Sequence, residues 1–142
     1  MRKWAIMLAG CVAGLTLLAG EALVAQKTKG KTRLAATKQI MGGLVQPNCA
    51  ALVGTFKGTG PADDKGWQTA MQQAALLNEV GYLLMDDGRC PDAVWAGATK
   101  SLREGSAALL DALEKKDSSA ANTALTTVMG ACKSCHTAHR GK

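Results

Sequence analysis

Beyond residue 33 the chain has no strand-like alternation and no internal repeat. It reads as four stretches of helical period separated by clusters of Gly, Pro and Asp. The first runs from about Leu34 to Phe56, with Ile40, Met41, Leu44, Val45, Leu52 and Val53 as its apolar stripe. Pro47 predicts a kink or a split there, because proline lacks the backbone donor and crowds the preceding turn. The second stretch starts near Asp63-Asp64, carries Trp67, Met71, Ala74, Asn78, Gly81, Tyr82 and Met85, and stops at Asp86-Asp87-Gly88. Pro91-Asp92 opens the third, where Trp95, Ala98, Leu102, Leu109 and Leu113 keep close to a heptad seam. Asp117 or Ser118 caps the fourth, in which Ala121, Leu125, Val128, Cys132, Cys135 and His139 fall at steps of three or four. Helices of this size are roughly 30 Å long at 1.5 Å per residue. On short links they predict an all-α, antiparallel four-helix bundle over 34–142. A length of 142 residues allows one such domain and not two.

The start of the chain has a different grammar. Arg2-Lys3 precedes an apolar run from Trp4 to Ala19, and Ala22-Leu23-Val24-Ala25 leads into a polar stretch. A basic start, an apolar middle and a small-residue end predict a signal peptide over 1–25 and a periplasmic destination. The run is short for a membrane span, and Gly10, Gly14 and Gly20 weaken it further. Leu8-Ala9-Gly10-Cys11 offers a second reading, a lipoprotein acylated at Cys11. Residues 26–33, with Lys27, Lys29, Lys31 and Arg33, predict a basic flexible leader. The net charge of +6 is too modest to imply nucleic acid.

One motif carries chemistry. Cys132-Lys133-Ser134-Cys135-His136 is a C-x-x-C-H sequence, the attachment signature of c-type haem. On a helix, residues three apart share a face, so both thiols can reach two vinyl groups along one edge of a porphyrin. His136 follows at once and can offer an imidazole nitrogen to the iron. A prosthetic group also suits a composition with only five aromatic residues, Trp4, Phe56, Trp67, Tyr82 and Trp95. Zinc is the alternative, with Cys49 or Cys90 completing a donor set, and disulfides are another.

With C-x-x-C-H on the last of four helices and Arg140 four residues beyond the histidine, the chain resembles the class II c-type cytochromes, the cytochrome c-prime family. The resemblance covers about 34–140 and is specific only at the haem motif. It implies one haem c held covalently by Cys132 and Cys135, with His136 as proximal iron ligand. It also implies Arg140 near the haem edge and the first helix over the distal side. His139 stands where the family has an aromatic residue and is expected at the haem edge as well. The family's basic-Gln pair is echoed by Lys38-Gln39, and its members often form homodimers. Cys49 and Cys90 lie outside the family pattern and are candidates for a disulfide.

The sixth iron position separates the functions. His136 and His139 are the only histidines and share one helix. Methionine is the next natural ligand. Met129 lies on the proximal helix, and Met71 and Met85 are expected to fill the core. Met41 remains, beside Gly42-Gly43, which would let a flat ring approach the backbone. The expected function is one-electron transfer between redox partner proteins, with no substrate converted. The alternative is a five-coordinate haem binding nitric oxide or carbon monoxide. A reading from another class is a zinc- or disulfide-stabilised interaction module.

Overall fold

The computed structural model describes residues 30–140. The expected signal peptide, Cys11 and residues 26–29 lie outside the described residues. Among those described, the secondary structure is all-helical, in four helices. Helix α1 covers 37–56 in three consecutive parts: Thr37–Ile40, a π-helical turn Met41–Val45, and Gln46–Phe56. Helices α2 (Asp64–Met85), α3 (Ala93–Glu114) and α4 (Ser118–His139) follow. No described helix is long and apolar enough to cross a membrane.

The boundaries follow from local chemistry. Asp63 accepts a hydrogen bond from the Gly66 N–H at 2.7 Å, and Asp92 accepts one from Trp95 N–H at 2.8 Å. Asp117 accepts from both Ser119 and Ala120 N–H groups. Each carboxylate satisfies amide donors that a helix start leaves orphaned. Helix α3 ends with Lys116 at φ 54°. There the Asp117 N–H donates to the Ala112 carbonyl and the Lys116 N–H to the Leu113 carbonyl. This Schellman closure hands the chain straight to the next cap. A three-residue link between two long, mutually packed helices makes them antiparallel.

Pro47 does not split α1. The π turn just before it absorbs the missing donor: the Gln46 N–H reaches back five residues to the Met41 carbonyl. The Leu44 carbonyl is then taken by the Asn48 side-chain amide at 2.6 Å.

Leu52, Ala74, Leu77, Leu109, Leu113, Ala121 and Val128 are fully buried at the centre of the bundle. Consecutive helices pack on each other, most extensively α3 on α4, while α1 also touches α4. Gly105 lets α3 and α4 approach closely. A Cβ there would stand 3.1 Å from a Val128 methyl and 3.2 Å from the Val128 nitrogen. Polar atoms are bridged as well. Asn78 donates to the Arg103 carbonyl and to Ser106 Oγ across α2 and α3.

Two features differ from expectation. The buried face of α2 is Ala70, Ala74, Leu77, Val80, Gly81 and Leu84, so Tyr82 turns outward and lies under the Arg103 guanidinium at 4.7 Å. The described end of the leader is held by the turn after α2. The Lys31 N–H donates to the Asp87 carbonyl, while Thr32 and Arg33 N–H groups donate to its carboxylate. Beside them Arg89, 1% exposed, donates to the Ala35 and Arg33 carbonyls.

Candidate functional site

Helices α1 and α4 meet over a narrow apolar cleft of about 30 Å³, lined by Met41, Val45, Leu84, Ala98, Thr99, Leu102, Ala131, Cys132, Cys135 and His136. Four candidates proposed from sequence thus converge on one space: both thiols, the imidazole and the methionine. Their placement follows from helix geometry. Cys132, Cys135 and His136 occupy adjacent positions on the last turns of α4, and Met41 enters from the π turn of α1. Lys133 and Ser134, between the thiols, are exposed.

The other methionines stand elsewhere. Met85 accepts a hydrogen bond from the Thr99 hydroxyl through its sulfur at 2.8 Å. Met71 packs against the core, and Met129 is exposed. Gly42 and Gly43 do not line the cleft. Both are exposed, and a Cβ at either would meet nothing within 4 Å. The small residues that line the cleft are Ala98 and Ala131. Lys38 and Gln39 also face outward, and the Gln39 carboxamide accepts from the Ala36 N–H at 2.8 Å.

His139 turns away from the cleft. It is buried at 6% exposure, edge-on to Trp95 with centroids 5.3 Å apart, and its Nε2 lies 3.5 Å from the Asp92 carboxylate. Arg140 is exposed just past α4, where its charge acts on His136. Burial and that positive charge together lower the His136 pKa. Both effects favour the neutral imidazole, the form that offers a lone pair to a metal.

Among the described residues the cysteines, Cys49, Cys90, Cys132 and Cys135, are free thiols. Cys49 does not meet Cys90. The thiol that perturbs Cys49 is Cys132, across the α1–α4 seam: their interaction raises the Cys49 pKa, together with burial, and lowers that of Cys132 against the opposing effect of burial. Burial pushes Cys135 up to about 11, helped by the charges of Cys132 and Asp92. Cys90 lies at the α2–α3 link, its thiol 3.5 Å from the Asp92 carbonyl. Sequence periodicity put Cys49 on α1 but could not name Cys132, across the seam, as the thiol that acts on it.

The donor set suits a covalently attached haem: two thiols three residues apart on a helix, a neutral imidazole beside them, and a thioether opposite. The cleft as it stands has the volume of about one water molecule. Of the four helices, α1 is the least extensively packed. Among the described residues, no three His, Cys, Asp or Glu side chains stand close enough together to hold a metal ion. Comparison of the chain with protein families, curated proteins and solved structures finds no match.

Proposed function

We propose that the chain is an exported monohaem cytochrome of the class II, cytochrome c-prime kind, carrying single electrons between redox partner proteins and converting no substrate. The observation that supports this most is the convergence of Met41, Cys132, Cys135 and His136 on one apolar cleft. Cys132 and Cys135 would hold the porphyrin through thioethers, and His136 and Met41 would face the iron from α4 and α1. When bound, haem supplies reversible one-electron Fe(III)/Fe(II) exchange.

The chain's own residues set the terms of that exchange. Val45, Leu84 and Leu102 exclude water from the cleft, which lowers the local dielectric and favours the less charged state. The Met41 thioether is a soft donor that favours reduced iron. Arg140 adds to burial in disfavouring the protonated form of His136 and leaves a positive charge at the rim, where an acidic partner surface would dock. His139, against Trp95 and Asp92, positions the end of α4.

Val45, buried one turn along α1 from Met41, favours a second reading. If Val45 rather than Met41 faces the iron, the site is five-coordinate and binds carbon monoxide or nitric oxide. Optical spectra of the purified exported protein, oxidised and reduced, decide between the two. Low-spin bands that turn high-spin in Met41→Ala establish methionine ligation. High-spin bands indifferent to that change, with rapid carbon monoxide binding, assign the gas-binding role. No Soret band from protein made with haem maturation enabled refutes both.

A further inference from the structure

Charge is unevenly paired along this bundle. At the end where α3 hands over to α4 the lysines are matched: Lys116 pairs with Asp64 at 2.6 Å and Lys115 with Asp111 at 2.7 Å. At the other end α2 turns into α3, and the finish of α4 is tied in through His139 and Asp92. Here Lys31, Arg33, Lys38 and Arg140 are exposed, and none of the four is held in an ion pair among the described residues. The segment 30–35, which carries two of them, is fixed through its backbone. Thr32 donates to one Asp87 carboxylate oxygen from its N–H at 2.8 Å and from its hydroxyl at 3.0 Å, and the Arg33 N–H donates to the other at 2.9 Å. A Cβ at Gly30 would collide with that same carboxylate. Gly30 and Thr32 therefore face the body, while Lys31 and Arg33 stay exposed. Of the carboxylates here, Asp87 is committed to this segment and Asp92 to the start of α3, which leaves Asp86.

The same end also bares apolar side chains. Leu34 is 86% exposed, the barest large apolar residue among those described, and Val94 on the first turn of α3 is 48% exposed. Leu34 is held out deliberately, because Arg89 grips the carbonyls of Arg33 and Ala35 on either side of it. A leucine presented on an anchored backbone and flanked by unpaired cations suits a bilayer surface. The apolar group enters the interface while ammonium and guanidinium groups meet lipid phosphates. An acidic protein surface calls for the charges and gives the leucine nothing to enter. In the sequence, Lys27 and Lys29 continue the alternate spacing of Lys31 and Arg33. We propose that this end of the bundle, through Lys31, Arg33, Leu34, Lys38 and Arg140, docks on an anionic lipid bilayer. Docking there turns the last turns of α4 toward the membrane. It uses neither haem nor the motif cysteines, so its failure and the failure of the haem reading are told apart.

The test is co-sedimentation of the purified exported protein with vesicles in low salt. One set is phosphatidylglycerol and phosphatidylcholine in equal parts, the other phosphatidylcholine alone. The expected result is binding to the anionic set only, lost as added salt screens the charges. Each cation near the surface contributes about fivefold in partitioning, so Lys31→Gln/Arg33→Gln binds about 30-fold more weakly. Both changes spare the backbone hydrogen bonds that fix the segment. Leu34→Gln weakens binding by about tenfold. Lys57→Gln/Lys65→Gln removes the same charge from exposed sites at the opposite end and leaves binding unchanged. No binding to the anionic vesicles overturns the proposal, as does equal binding to both sets, which acylation at Cys11 would give. An equal loss in the Lys57/Lys65 variant overturns it by reducing the effect to net charge. Leu34→Gln binding as tightly as the parent also overturns it and hands the patch to an acidic protein surface.

Discussion

Replacing Trp95 with phenylalanine tests how the bundle holds the end of α4 that carries the motif. Trp95 is 2% exposed, and its indole N–H donates to the Leu84 carbonyl at 2.8 Å. Leu84 lies in the last turn of α2, where the helix has no further amide to offer its carbonyls. Phenylalanine keeps an aromatic ring but removes the donor, leaving a buried carbonyl unmet at a cost of about 1–3 kcal/mol. The smaller ring also leaves a void beside His139, adding about 1 kcal/mol. Together these give about 2–4 kcal/mol. With a urea slope of about 2 kcal/mol per molar, the unfolding midpoint falls by about 1–2 M. Far-UV circular dichroism of parent and variant in parallel urea series reads this directly. A midpoint shifted by less than about 0.3 M, within the range of a surface change, would refute the capping role of the indole.

Other consequences follow from the same packing. At Gly105, alanine's gain in helix propensity of about 1 kcal/mol offsets the 3.1–3.2 Å approach to α4, so Gly105→Ala leaves the melting temperature nearly unchanged. Gly105→Val, by contrast, overpacks the seam and destabilises by about 1–3 kcal/mol in thermal unfolding. The Asp87 carboxyl is held below its ordinary range, chiefly by the Arg33 N–H and also by Thr32 and the Arg89 charge. Its folded-state pKa lies below the unfolded value, so its contribution is present above about pH 4 and disappears as pH falls through the folded value. Asp87→Asn therefore lowers the urea midpoint at pH 7 and leaves it unchanged near pH 2; equal losses at both would disprove the linkage. Cys132→Ala/Cys135→Ala, made with haem maturation enabled, carries no covalent haem and melts over a broader range than the parent. An equally sharp melt at the same temperature would show that haem contributes nothing to the core.

Much of this architecture is legible in the sequence, because helix punctuation is local chemistry. Asp63, Asp92 and Asp117 announce three helix starts, and the seam from Trp95 to Leu113 is buried as its spacing predicts. What hid from the sequence depends on azimuth. On α2 the spacing groups Tyr82 with Ala74 and Gly81, but Tyr82 turns outward under the Arg103 guanidinium. Met41 lines the cleft, whereas Gly42 and Gly43, inside the π turn, face outward. His139 follows the buried stripe inward, but its partners are Trp95 and Asp92 on α3, and no spacing along α4 could name them. Asp87 and Arg89 looked like ordinary turn residues. Their grip on residues 31–35 is a tertiary match between turn and leader, with no periodic signal to betray it.

The most direct measurement is the intact mass of exported protein produced with haem maturation enabled, taken under denaturing conditions after solvent extraction of loose porphyrin. The account predicts the polypeptide plus one haem, the added mass confined to the two peptides that carry Cys132 and Cys135. Bare polypeptide, with both sulfurs open to alkylation, would contradict it.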